Sequence, residues 1–146
     1  MDFFSSMRVS ASGLEAQMKR MNTITSNLAN ADTTRSADGS GPYRKQEAIL
    51  TSETDRESFG EILQNQMDEA VQGVRVTEIA KDERPPRLVY NPQHPDANAE
   101  GYVAMPNVNP AEEMANMISA QRSYEANISA MAAAKAMAAK ALEIGR

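Results

Sequence analysis

The sequence predicts a mainly α fold with a small β insert, in which long N- and C-terminal helices pair as a coiled coil around a small β-rich middle segment. Three observations carry this. Apolar residues recur at alternating steps of three and four through the first stretch of chain and again through the last. Between them lie short alternating runs separated by turns rich in Pro, Gly and Asn. Charge divides the same way: residues 31–109 hold eight Lys or Arg against fourteen Asp or Glu, a net −6, while the first thirty residues carry +1 and residues 110–146 balance.

The first helix is predicted from its seam: Phe4, Met7, Ala11, Leu14, Met18, Met21, Thr25 and Leu28. The other faces are mostly polar. Gly13 sits in mid-helix at a cost of about 1 kcal/mol against Ala. Asn30 is expected to end the helix in the left-handed cap conformation. Residues 31–45 read as a loop. QEAILT, 46–51, reads as a short strand, and Phe59, Ile62, Leu63 and Met67 form a brief helical stripe. GVRVTEI at 73–79, RLVY at 87–90 and GYVAM at 101–105 read as strands. Asn109, Pro110 and Glu112 read as N-cap, first-turn proline and third-position carboxylate of the last helix. Its seam runs through Met114, Met117, Gln121, Tyr124, Ile128, Met131, Lys135, Ala138 and Leu142 to a stop at Gly145. At 1.5 Å per residue that helix is about 50 Å long. Residues 1–32 and 107–146 are thus the expected helical core, and 33–106 the β-rich middle.

Composition closes off several function classes. The chain has 146 residues and lacks Cys, so it has no disulfide, thiolate ligand or thiol nucleophile. One His rules out a multi-His metal site. A net charge of −5 argues against nucleic acid as a partner. The Ala-rich stretch near the C-terminus carries Lys135 and Lys140 and is too weakly apolar to insert in a membrane. The N-terminus has neither the basic start nor the apolar run of a signal peptide. Composition alone is that of a cytoplasmic protein.

No active site, metal site or cofactor site is expected. His94-Pro95-Asp96 is a turn between strands, with Pro92 and Pro95 restricting the backbone. Asp38-Gly39-Ser40-Gly41 is a flexible turn lacking the pattern of a calcium or phosphate loop. Asp82-Glu83 and Glu112-Glu113 read as solvated charges or helix-dipole partners. Both helical seams are long, and neither is rich in Leu or Ile. One partner helix covers too little surface to offset the ordering of each, so folding that depends on assembly is expected. A cytoplasmic coiled-coil adaptor or export chaperone is the alternative, but it gives the β insert no role.

SNLANADTTRSADGSGPYRK, 26–45, resembles the N-terminal signature of the bacterial flagellar axial proteins, through Asn27, Leu28, Ala29, Asn30 and Thr33. EEMANMISAQRSYEAN, 112–127, resembles their C-terminal signature, through Glu113, Met114, Arg122, Tyr124, Glu125 and Asn127. GPYRKQ, GVRVTEI, LVYNPQHPDANAEGYVAMPNVNP and ALEIG are similar to the proximal-rod members of that family.

The resemblance implies a structural subunit of the basal-body rod and not an enzyme. It implies helical stacking through the terminal helices and torque transmission across the periplasm. Implied partners are copies of the chain, other proximal and distal rod proteins, the junction between rod and membrane ring, and the flagellar type III export apparatus. Export then proceeds without a cleaved signal peptide. Seams and signatures together nominate an assembly interface: Phe4, Met7, Leu14, Met18, Met21, Asn27, Leu28, Asn30, Met114, Met117, Gln121, Arg122, Tyr124, Asn127, Ile128 and Met131.

Overall fold

The computed structural model describes residues 3–36, 39, 41–53 and 72–144. The expected stripe at Phe59, Ile62, Leu63 and Met67, and the stop at Gly145, lie outside them. In chain order the elements are α1 (Phe3–Ala29), β1 (Gln46–Glu53), β2 (Gly73–Lys81), β3 (Arg87–Tyr90), β4 (Tyr102–Met105) and α2 (Pro110–Ile144). β1 pairs with β2, and β3 with β4. The fold is therefore mainly helical with a β insert, and every predicted helix and strand among the described residues forms.

The chain divides into two compact units. One takes its described residues from Met1–Lys19, Ile49–Glu78 and Ala120–Arg146. Here α1 and α2 approach closely. A Cβ added at Gly13 would lie 3.0 Å from the Asn127 side chain, which explains a glycine in mid-helix. Ala16 and Ala120 are buried. The start of β2 lies equally close to α1: a Cβ on Gly73 would lie 2.9 Å from Ser12 Oγ. That hydroxyl accepts from the Val74 amide at 3.1 Å and donates to the Val9 carbonyl at 2.8 Å.

The second unit takes Arg20–Ala48 and Ile79–Ser119. Its core is Ile24, Ala31, Val103 and Val108, with the buried polar residues Thr23, Asn27 and Glu113. β3 and β4 are antiparallel, pairing Leu88 with Ala104, Val89 with Val103 and Tyr90 with Tyr102. Val103 faces inward and is fully buried, whereas Leu88, Tyr90 and Tyr102 remain exposed. The Tyr90 and Tyr102 rings meet edge to face at 5.3 Å.

The helix ends show one agreement and one correction. Asn109 Oδ1 accepts from the Ala111 amide at 3.1 Å, and the Asn109 carbonyl accepts from Glu113 N at 3.0 Å, so the predicted N-cap of α2 is present. Asn30 does not adopt the left-handed conformation, since no described non-glycine residue has a positive φ. Instead its side chain folds back, Nδ2 donating to the Ser26 carbonyl at 2.9 Å while Oδ1 accepts from Thr33 Oγ1 at 3.2 Å. The side chain thus adds a second donor to an end-of-helix carbonyl that the Asn30 amide also meets, at 3.1 Å.

The inward faces also differ from the predicted seams. On α1 the residues Ser6, Val9, Gly13, Ala16, Arg20, Thr23 and Asn27 are buried or half-buried, at alternating steps of three and four. On α2 the corresponding stripe is Glu113, Met117, Ala120, Tyr124, Asn127, Met131, Ala134 and Ala138. Alternate members of the predicted seams flank or join these stripes: Met7, Leu14 and Met21 are half-buried, as are Met117, Tyr124, Met131 and Ala138. The others point to solvent. Gly13, Ala16, Ala120 and Ala134 lie inward, where small side chains allow close backbone approach, while Phe4, Met18, Leu28, Met114 and Ile128 point outward.

We expect Gly13→Leu to lower the thermal unfolding midpoint of the purified chain, followed by circular dichroism, by the equivalent of about 1–3 kcal/mol through overpacking against Asn127. Gly13→Ala should come close to neutral, its gain of about 1 kcal/mol in helix propensity offset by the tight contact.

Candidate functional site

Polar contacts in the second unit centre on Asn27, which is 1% exposed. Its Nδ2 donates to the Gln46 carbonyl at 2.7 Å and to Glu113 Oε2 at 3.0 Å. Its Oδ1 accepts from the Gln46 amide at 2.8 Å and from the Tyr43 hydroxyl at 3.0 Å. All four hydrogen-bonding positions of the carboxamide are occupied. Glu113, also 1% exposed, meets Lys45 Nζ through Oε1 at 2.8 Å. Glu113 is therefore not the solvated dipole partner expected from sequence. It is a buried carboxylate neutralised by one ammonium and held by one carboxamide. Glu112 stays exposed, 3.7 Å from the same ammonium. Burial opposes the Lys45 charge, but the Glu113 hydrogen bond and the Glu113, Glu112 and Glu47 charges carry its pKa above the ordinary lysine value.

Two further carboxylates staple loops. Asp82 accepts from Arg84 through both oxygens, at 2.6 Å to Nη2 and 2.9 and 3.0 Å to Nε, and from the Arg84 amide at 3.0 Å. Asn107 Nδ2 approaches Oδ2 at 3.4 Å. The Arg84 side-chain and backbone hydrogen bonds hold the Asp82 pKa at about 2. Asp96 accepts from Thr34 Oγ1 at 2.7 Å and from Arg35 Nε at 2.6 Å, with Arg35 Nη2 also on Oδ1. These contacts, Thr34 first and Arg35 second, lower its pKa. They pin the loop after α1 to the turn between β3 and β4.

The His94-Pro95-Asp96 turn contains no acid–base pair poised for chemistry. His94 N donates to the Asn91 carbonyl at 3.2 Å, and Ala97 N to the His94 carbonyl at 3.0 Å. His94 Nδ1 accepts from the Asp96 amide at 3.1 Å, while the Asp96 carboxylate is already engaged by Thr34 and Arg35. Gly39 and Gly41 have φ of 67° and 107°, as a turn requires, while Asp38 and Ser40 lie outside the described residues. Among the described residues no group of three His, Asp or Glu could hold a metal, and no helix is long and apolar enough to cross a membrane.

The nominated interface residues separate into three sets. Exposed on α1 are Phe4, 74% accessible, with Met18 and Leu28. Exposed on α2 are Met114, Gln121, Arg122 and Ile128. The structure adds Ile118, Met137 and Leu142 to these, of which Leu142 belonged to the predicted seam. Engaged inside the chain are Asn27 at the junction, Asn30 at the helix end and Asn127 beside Gly13; Asn127 Nδ2 also donates to the Ser123 carbonyl at 3.0 Å. The remaining six, Met7, Leu14, Met21, Met117, Tyr124 and Met131, are half-buried. Glu113, Lys45, Tyr43, Asp82 and Asp96 were not nominated. The one signal available was that Tyr43, Lys45, Asp96 and Glu113 fall inside the segments that carry the family resemblance.

Glu113→Ala leaves Lys45 without its counter-charge and an Asn27 donor unmet, and should cost about 3 kcal/mol in denaturant unfolding. Glu113→Gln, which keeps an acceptor for Asn27, should cost less. Because the Asp82 pKa is depressed, its stabilisation is full above the ordinary carboxylate pKa and is lost as pH falls through about 2. Carboxyl-carbon NMR titration should place Asp82 near that value, and Arg84→Ala should move it up toward the ordinary range.

Comparison with known proteins matches this geometry to a family. The flagella basal body rod protein family model matches residues 7–35, and the model for the C-terminal region of flagellar basal body rod FlgEFG proteins matches residues 99–144. The flagellar basal-body rod protein FlgC of Bacillus subtilis is 51% identical, with 100% of both chains covered. FlgC of Borreliella burgdorferi is 43% identical over 99% of this chain and 98% of its own. FlgC of Salmonella typhimurium is 39% identical over 94% of each. The residues of the polar junction, the helix stop and the outward rows thus belong to a structural subunit of the flagellar basal body, and the chain is a member of the FlgC family of flagellar basal-body rod proteins.

Proposed function

We propose that this rod subunit assembles helically through residues 1–32 and 107–146, in the proximal part of the rod, and transmits motor torque across the periplasm. It performs no catalysis in this reading. The observation that carries it is the outward placement of large apolar side chains on both helices. Phe4, Met18 and Leu28 project from α1, and Met114, Ile118, Ile128, Met137 and Leu142 from α2. Helices that keep large apolar side chains exposed offer apolar area to neighbours. A contact between two different faces that does not close on itself propagates as a helical array, as a rod requires.

Copies of the chain and other proximal and distal rod proteins would cover these rows, with the junction between rod and membrane ring as a further neighbour. A chain with few large buried side chains unfolds readily, which suits passage through the type III export apparatus without a cleaved signal peptide. Neighbours then supply burial at the growing tip.

In a strain lacking its own copy, the wild-type chain should appear in isolated basal bodies and restore swimming. Leu28→Asp and Ile128→Asp should leave export unchanged and reduce incorporation by about tenfold or more, because a desolvated carboxylate in an assembly contact costs more than 1.4 kcal/mol. Normal rods and swimming in both variants would exclude these rows as contacts.

A further inference from the structure

Three segments distant in sequence meet at one buried point: the last turn of α1, the entry to β1 and the first turn of α2. Two consecutive residues at the entry to β1 are held by different helices. Gln46 is held by Asn27 of α1, and Lys45 by Glu113 of α2. The Gln46 attachment is two-pointed, since Asn27 Nδ2 donates to its carbonyl and Oδ1 accepts from its amide. One bond would let the peptide rotate. Two fix both its position and its plane, as a neighbouring strand would. The end of the partner strand is tied to the same place: Asp82 N, one residue beyond β2, donates to the Lys45 carbonyl at 2.8 Å.

The orientation of the Asn27 amide is itself determined. The Glu113 carboxylate accepts only, so it requires Nδ2 on its side, and the Gln46 amide donates only, so it requires Oδ1 on the other. An aspartate at this position would bring two carboxylates together. A serine would be too short to reach both groups of Gln46. The junction therefore needs a carboxamide on α1, a carboxylate on α2 and an ammonium from the strand entry.

We propose that Asn27 and Glu113 are positioning residues: they fix the root of the β1–β2 ribbon to both helices, and this fixed root is required for incorporation into the rod. The second half of that statement rests on the assembly reading above. The juxtaposition of Asn27, Gln46, Lys45 and Glu113 carries it. A residue that only filled the core would tolerate an apolar replacement of similar size, whereas a positioning carboxamide would not.

The test uses the full chain with two readouts. The first is amide hydrogen exchange at Gln46 in the purified protein; the second is the amount in isolated basal bodies per molecule exported. Asn27→Leu should speed Gln46 exchange by about a hundredfold, leave the amides around Ala120 unchanged, and reduce incorporation by about tenfold with export intact. Asn27→Asp alone should be equally defective. Asn27→Asp combined with Glu113→Gln relieves the contact between carboxylates but sets an acceptor, not a donor, against the Gln46 carbonyl, so Gln46 should still exchange fast and incorporation should stay low. If Asn27→Leu loses protection throughout both helices, this double variant decides: low incorporation with the amides around Ala120 still protected supports the positioning role, and any other result overturns it. The proposal is also overturned if wild-type Gln46 is unprotected, or if Asn27→Leu frees Gln46 and still incorporates normally. Absence of the wild-type chain from basal bodies would instead count against the assembly reading, leaving the exchange result to stand alone.

Discussion

A carboxamide with all four of its hydrogen-bonding positions filled, at Asn27, is the constraint on which the second unit depends. It ties α1 to β1 through Gln46, to the following loop through Tyr43 and to α2 through Glu113. Burying a polar group is costly unless every partner is supplied, and here every partner is supplied. The same completeness makes the group demanding, because most replacements leave at least one buried donor or acceptor unmet. The family signature around it acquires a physical meaning. Asn27 is a junction, Asn30 and Thr33 are a helix stop, and Leu28 between them is an outward apolar side chain.

The helices follow a related logic. Gly13, Ala16, Ala120 and Ala134 lie inward, where small side chains allow close approach. Close approach of this kind buries little apolar area per residue, so polar contacts such as those of Asn27 and Glu113 specify the arrangement. Phe4, Met18, Leu28, Met114 and Ile128 face outward.

Charged residues act here as staples. Asp82 holds Arg84, Asp96 holds Thr34 and Arg35, and Glu113 holds Lys45. The partners of Asp82 and Asp96 lower the pKa of each. The His94 imidazole is engaged by the turn it helps to close.

The sequence by itself determined the elements and the family. Seam periodicity, capping residues and turn chemistry are local, and they located α1, α2 and four strands to within a few residues. The short motifs near the two helices carried the family because each is contiguous in the chain. Only the tertiary structure decided which face of each helix is buried. A 3-4 spacing repeats on several adjacent stripes, and ranking them by hydrophobicity selects the bulkiest. Where Gly13, Ala16 and Ala120 line the inward face, that ranking selects a stripe that coincides with it only in part, at Met117, Tyr124, Met131 and Ala138. Glu113 was misread for a related reason. Nothing local distinguishes it from Glu112, and its partners lie far away in sequence, Asn27 by 86 residues. Burial of a charge depends on what the fold brings to it, so the role of Glu113 exists only once α1, β1 and α2 have met.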